Sequence, residues 1–117
     1  MRHRKADKRL GRNDDHRRAL LRNLTTSLFT HGTIETTVVR AKEVSRTASR
    51  MITRAKRGDL HSRRLVAAYL TSEDVVRKLF DVIAPTLAGR SGGYTRIVRT
   101  RIRKGDAAPM AQLELLQ

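Results

Sequence analysis

Residues 40–58, RAKEVSRTASRMITRAKRG, carry an apolar and a cationic pattern at the same time. Ala41, Val44, Ala48, Met51, Ile52 and Ala55 recur at spacings of three and four, which sets them on one face of an α-helix. Lys42, Arg46, Arg50 and Arg54 recur at strict four-residue spacing on another side of the same helix. An apolar face at that period needs a second layer to cover it. A cationic face at that period is served equally by water or by an anion, and the spacing of Glu43 to Arg46 and Thr47 supplies part of an answer within the helix. Gly58 is a natural stop.

Other elements fall around this helix. NDDHRRALLRNLTTSLFTHG, residues 13–32, reads as a helix with Asn13 as cap, Asp14 and Asp15 at the positive end of the dipole, and Gly32 as terminator. Leu20, Leu24 and Leu28, with Leu21 beside them, form its apolar stripe. TIETTVV, residues 33–39, is β-branched and reads as a strand. Residues 60–70 and 71–84 predict two further helices. In the second, Ser72 caps, Glu73 and Asp74 occupy the first turn, and Val76, Leu79, Phe80 and Ile83 face inward. Pro85 should end or kink that helix. Gly89, Gly92 and Gly93 mark a loop.

The segment GRSGGYTRIVRTRIRKGD, residues 89–106, is dense in both cations and β-branched residues. Residues 94–103 alternate as a strand, with Tyr94, Val98 and Ile102 on a core face and Arg99, Arg101 and Arg103 on the other. Arg96 interrupts the core face, and Ile97 the basic one. Residues 104–109 supply a turn, and MAQLELLQ, residues 110–117, closes a hairpin with Ala111, Leu113 and Leu115 on one face. The expected fold is α/β: a small sheet of about three strands packed on about four helices. Residues 13–117 form its single globular domain. Residues 1–12 hold Arg2, Arg4, Lys5, Lys8, Arg9 and Arg12 against Asp7 alone, and with so little to bury they predict a basic arm.

Charge narrows the function. Lys and Arg number 26 against 11 Asp and Glu, for a net charge of +15 over 117 residues. Such self-repulsion favours a polyanionic partner, nucleic acid first. A membrane surface would call for bulky apolar anchors or a lipidation signal, and neither is evident, so no membrane partner is expected. The chain contains no cysteine, which removes disulfides and thiolate metal sites, and it has no apolar run of about 18 residues. A cytoplasmic location is the expectation.

Catalysis finds no support. His3, His16, His31 and His61 keep no metal-ligand spacing. The adjacent carboxylates Asp14–Asp15 and Glu73–Asp74 sit where helix starts favour them. GRSGGYTR lacks the Lys and hydroxyl residue of a phosphate-binding loop and leads into a strand. No enzyme activity, metal, cofactor or small-molecule substrate is expected. Binding fares better, because most of the cations are arginine, whose planar fork grips phosphate through two bonds. Glycines beside a basic loop let backbone N–H groups approach a sugar–phosphate chain. Tyr94 is a candidate either for base stacking or for the core. With no base-reading motif present, recognition should follow backbone and shape, as for structured RNA.

MRHRK, HRRALLRNLTTSLFTHG, IETTVVRAKE, ITRAKRGDLHSRRL, VVRKLF, GGYTRI and KGDAAPMAQLEL resemble, in that order, the bacterial family of ribosomal protein seventeen of the large subunit. GGYTRI followed by GDAAPMA at this spacing is the specific part. The resemblance implies a compact α/β domain with a basic N-terminal extension that binds large-subunit ribosomal RNA near the polypeptide exit tunnel, among neighbouring ribosomal proteins, without enzymatic activity. A free-standing nucleic-acid-binding protein is the alternative. Carried over by position, Arg2, His3, Arg4, Lys5, Arg12, His16 and Arg17 are expected RNA contacts, as are Gly92, Gly93, Tyr94, Thr95 and Arg96. Charge alone adds Lys8, Arg9, Arg18, Arg22, Arg90, Arg99, Arg101 and Arg103. Asp14 and Asp15 stand where the resemblance implies small hydroxyl residues.

Overall fold

The side chain of Asn13 accepts the His16 N–H at 2.8 Å and so starts helix α1, Asp14–His31. Leu21 and Leu24 pack half-buried, while Leu28 and Phe29 are fully buried. Thr25 and Thr26 are buried too, and their hydroxyls donate back to the Leu21 and Arg22 carbonyls, which satisfies them without leaving the helix. Gly32 takes the left-handed conformation (φ 81°), and its N–H returns to the Leu28 carbonyl at 2.7 Å. The computed structural model describes Leu10, Gly11 and residues 13–116. Arg2, His3, Arg4, Lys5, Lys8, Arg9 and Arg12, the expected contacts of the arm, lie outside the described residues.

Strand β1 is Thr33–Thr37, shorter than expected, because Thr37 caps the next helix through its hydroxyl, which accepts the Arg40 N–H at 3.4 Å. Val38 and Val39 thereby enter helix α2, Val38–Arg57, against their β propensity. Helix α2 is the centre of the molecule. Its buried face, Ala41, Val44, Ala48, Met51, Ile52 and Ala55, touches all three strands, α1 and helix α3, Leu60–Tyr69. The small alanines on that face let its neighbours approach closely. Leu28, Phe29, Ile52, Leu79 and Leu113 are completely enclosed there. Each such side chain contributes about 1.5–3 kcal/mol by leaving water.

Helix α4 begins as Glu73–Lys78, widens into a π-helical turn at Leu79–Ile83 and ends in a last turn, Ala84–Thr86. Ser72 occupies its cap position without a side-chain cap bond. Pro85 accounts for the widening. It has no N–H to return to the Asp81 carbonyl, and its ring would crowd that oxygen in a regular α-helix. The Ala84 N–H reaches back five residues to the Leu79 carbonyl instead. The proline therefore reshapes the helix one turn before its end.

Strands β2, Thr95–Ile102, and β3, Pro109–Leu115, complete an antiparallel sheet in the order β1-β3-β2. Helices cover one face, and the other is open. Ala111, Leu113 and Leu115 face the helices as expected, but up to Arg99 the faces of β2 are the reverse of the expectation. Ile97 lies opposite Leu113 and packs on the core, whereas Val98, opposite Gln112, is 44% exposed; Ile102, past the irregularity and opposite Pro109, is 64% exposed. Tyr94 is buried but precedes the strand, so its burial says nothing about strand parity. A bulge between Arg99 and Ile102 sets two residues, Thr100 and Arg101, against Met110. Arg99, opposite Ala111, therefore does not share a face with Arg101, and the expected single row of three arginines does not form.

Candidate nucleic-acid interface

The first half of α1 lies beside α2 and leaves an open cleft of about 350 Å³ between them. Arg17 and Arg18 line it from α1, and Arg46, Arg50 and Arg54 from α2. The four-residue spacing of the last three stacks them along the α2 flank next to its buried stripe. Leu21, Met51 and Tyr69 supply apolar lining. Five arginines here meet two carboxylates, Asp14 and Glu43. Arg17 reaches Asp14 at 3.3 Å, and Arg46 reaches the buried Glu43 at 3.5 Å. Arg18, Arg50 and Arg54 make no ion pair among the described residues. Cations gathered without matching anions hold a strong positive potential at the mouth of the cleft.

Arg22, another expected RNA contact, has partners within the chain. Its guanidinium donates to the Tyr69 carbonyl at 2.6 Å and the Ala68 carbonyl at 3.2 Å, closing the C-terminal end of α3, and lies 5.8 Å from the centre of the Tyr69 ring. Burial raises the pKa of the Tyr69 hydroxyl. His16 is exposed in the first turn of α1.

A second groove lies on the other side of the α2 arginines. Ser49, Arg50, Thr53, Arg54 and Arg57 line it with Ser91, Gly92 and Tyr94 of the glycine loop. Arg50 and Arg54 thus border both hollows. The loop is held to α2 by Lys56, whose ammonium donates to the Arg90 carbonyl and, at 3.1 Å, to the Tyr94 hydroxyl, and lies 5.2 Å from the Tyr94 ring centre. That donated bond is the main cause lowering the Tyr94 hydroxyl pKa. Gly93 sits at φ 61°, a conformation that lets the chain turn into β2. Beyond it, Thr95 shares a 2.6 Å hydroxyl contact with Ser45 of α2. Tyr94 is 3% exposed, so it shapes the loop and offers no open ring to a base.

The cations of β2 and of the turn after it are largely neutralised within the chain. Arg96 bonds Glu114 at 2.6 Å, Arg101 bonds Glu35 at 2.9 Å across the intervening strand, and Arg103 bonds Asp106 at 2.6 Å. The Arg103 guanidinium, helped by the Ala108 N–H, lowers the Asp106 carboxyl to about 2. Arg99 makes no ion pair among the described residues.

The structure therefore joins Arg17 and Arg18 to the α2 arginines, and these to Gly92, while setting Arg22, Arg96, Arg101 and Arg103 on internal partners. Sequence reasoning left Arg46, Arg50 and Arg54 undecided and passed over Arg57. Their signal was a cationic stripe directly flanking an apolar one, because residues at that boundary line whatever groove the next helix leaves. No group of three or more His, Cys, Asp or Glu residues among the described residues would hold a metal ion. An open cleft of guanidinium groups between two helices defines a small α/β domain equipped to bind anions.

Comparison with known proteins sharpens that class. Residues 20–116 match the family model described as Ribosomal protein L17. Proteins named large ribosomal subunit protein bL17 are similar over nearly the whole chain. The one from Moorella thermoacetica is 58% identical over 111 residues, covering 95% of this chain and 99% of its own. That from Pelobacter propionicus is 53% identical over 117 residues, covering 100% and 92%. A third, from Clostridium acetobutylicum, is 57% identical over 109 residues, covering 93% and 96%. The chain belongs to the ribosomal protein L17 family.

Proposed function

We propose that this chain is a structural constituent of the large ribosomal subunit and holds ribosomal RNA in the arginine cleft between α1 and α2. The observation that carries this reading is the convergence of Arg17, Arg18, Arg46, Arg50 and Arg54 on one open hollow, in a chain whose relatives are named as large-subunit proteins. Guanidinium groups grip phosphate oxygens in pairs, and their charge supplies an attraction indifferent to sequence. Residues Arg2, His3, Arg4, Lys5, Lys8, Arg9 and Arg12 extend the contact from the arm, and His16 from the first turn of α1. Arg90, Gly92, Gly93, Thr95 and Arg99 extend it from the loop and β2. The role is non-catalytic and needs no cofactor. It places the protein in the cytoplasmic ribosome, near the polypeptide exit tunnel and beside other ribosomal proteins.

Sedimentation of a cell lysate tests the reading. The tagged chain should travel with large subunits at moderate salt, and a variant with Arg18, Arg50 and Arg54 changed to Gln should be depleted from them. Recovery of the wild-type chain free of subunits would favour the alternative, a free-standing nucleic-acid binder. Crosslinks from the chain to nascent peptide or to tunnel-rim proteins test its position.

A further inference from the structure

The groove between α2 and the glycine loop raises a separate question, because the α2 cation that holds the loop in place is not among its lining residues. Lys56 spends two donors inside the protein, on the Arg90 carbonyl and the Tyr94 hydroxyl, with its ammonium over the Tyr94 ring. The Tyr94 hydroxyl lies 3.4 Å from the same Arg90 carbonyl, which closes a triangle between α2 and the two ends of the loop. Ser91, Gly92 and Gly93, all exposed, are strung between two points of that triangle. Across the groove stand the exposed guanidinium of Arg57 and the hydroxyls of Ser49 and Thr53. Thr53 donates its hydroxyl to the Ser49 carbonyl at 2.9 Å. The other wall is Arg50 and Arg54, shared with the cleft.

We infer that this groove is a second phosphate subsite, continuous with the cleft across Arg50 and Arg54, and that Lys56 is its positioning residue and not one of its contacts. The ligand is the sugar–phosphate backbone of the RNA held in the cleft, so the inference rests on the proposed function. Arg57 supplies the charge at the far end of the subsite. Loop N–H groups beside a basic helix are the remaining donors, and glycine lets the backbone come close to them. A cation used as a brace holds the loop in its binding shape before RNA arrives, which lowers the ordering cost on association.

Salt dependence separates a brace from a contact. Binding of the full chain to in vitro transcribed large-subunit ribosomal RNA would be measured over a salt series, with melting temperatures recorded for every variant. Arg57→Gln should flatten the log–log slope by about 0.7–0.9, the share of one phosphate. Lys56→Met should weaken binding roughly two- to tenfold, as expected for lost hydrogen bonds, with the slope unchanged. Tyr94→Phe removes the hydroxyl alone and should reproduce part of that loss at constant slope, which keeps the test open if Lys56→Met folds poorly. Arg18→Gln lines only the cleft and reports on the cleft itself. A flattened slope for Arg18→Gln with a wild-type slope for Arg57→Gln overturns the subsite and leaves the proposed function standing. Wild-type slopes for both variants overturn the two together. A Lys56→Met slope reduced by the same increment as Arg57→Gln makes Lys56 a contact, and wild-type affinity in both Lys56→Met and Tyr94→Phe removes the brace.

Discussion

Replacing Arg18, Arg50 and Arg54 together by Gln should flatten the salt dependence of RNA binding without unfolding the protein. These three line the cleft and make no ion pair among the described residues, so their charge is available to a ligand. Each phosphate they neutralise contributes about 0.7–0.9 to the log–log slope, so the triple variant loses about 2–2.7. Over a roughly fourfold rise in salt the wild-type complex then weakens about 16- to 40-fold more than the variant complex. Surface substitutions of this kind change stability by about 0.5 kcal/mol or less, so a melt should stay near wild type. The matched control changes Arg96 with Glu114 and Arg101 with Glu35, all to Gln, which removes two ion pairs and keeps the charge of the sheet face. Exposed pairs of this type are worth about 0.2–1 kcal/mol, and the control should fold and bind with the wild-type slope. Filter binding with large-subunit ribosomal RNA over a salt series reads both variants. Flattening of the control by as much as the triple variant would move the interface to the open sheet face and refute the assignment of the cleft.

Arg22→Met keeps the aliphatic stem but strips the Ala68 and Tyr69 carbonyls of their donor. It should cost about 1–2 kcal/mol in a denaturant melt and leave the RNA salt slope intact, whereas a flattened slope with an unchanged melt would return Arg22 to the interface. The register of β2 predicts that Ile97→Ala costs about 1–3 kcal/mol, discounted for its partial exposure, while Val98→Ala stays within about 0.5 kcal/mol. Equal losses in the two urea melts would contradict the register. Asp106 should titrate near 2 by carboxyl-carbon NMR, below its ordinary 3.8, because Arg103 and the Ala108 N–H favour the charged form. A depressed carboxyl stabilises the native turn above the unfolded value of 3.8 and loses that contribution as pH falls through about 2. Arg103→Gln should raise the midpoint toward 3.8, and an unmoved midpoint would deny Arg103 its part.

Elements set by local chemistry could be read from the sequence, and elements set by distant partners could not. The Asn13 cap, the stops at Gly32 and Gly58 and the buried face of α2 follow from single residues or from one helical period. The inward face of β3 was equally plain, because its Ala111, Leu113 and Leu115 alternate with polar residues. Strand β2 mixes Ile97, Val98, Arg96 and Arg99 on both faces, and alternation alone favoured the register with Val98 and Ile102 inward. The deciding terms were the pairing of Ile97 with Leu113 and the bulge opposite Met110, both properties of the pairing with β3. Glu35, which neutralises Arg101, lies 66 residues away in sequence, out of reach of any local pattern. The cleft was half legible. Its arginines stood in view, but only the docking of α1 beside α2 decides that Arg46, Arg50 and Arg54 line a groove.

The two cationic regions differ because a sheet and a helix pair place charges differently. Antiparallel strands set residues directly opposite one another about 4.5–5.5 Å apart, so an acidic residue on β3 meets an arginine on β2 almost by construction. Glu114 facing Arg96 is that case. Along α2 the neighbours of an arginine at four-residue spacing are further arginines, and like charges at that spacing repel in water. Glu43 relieves one of them from inside the helix. The rest of that repulsion persists until an anion enters, so the free chain carries an electrostatic cost that binding removes. A sheet face already neutral gains nothing comparable from phosphate, and its Glu35 and Glu114 would repel it. The same net charge thus makes the helical cleft the side where a polyanion would relieve repulsion and the open sheet the side whose cations are already paired within the chain.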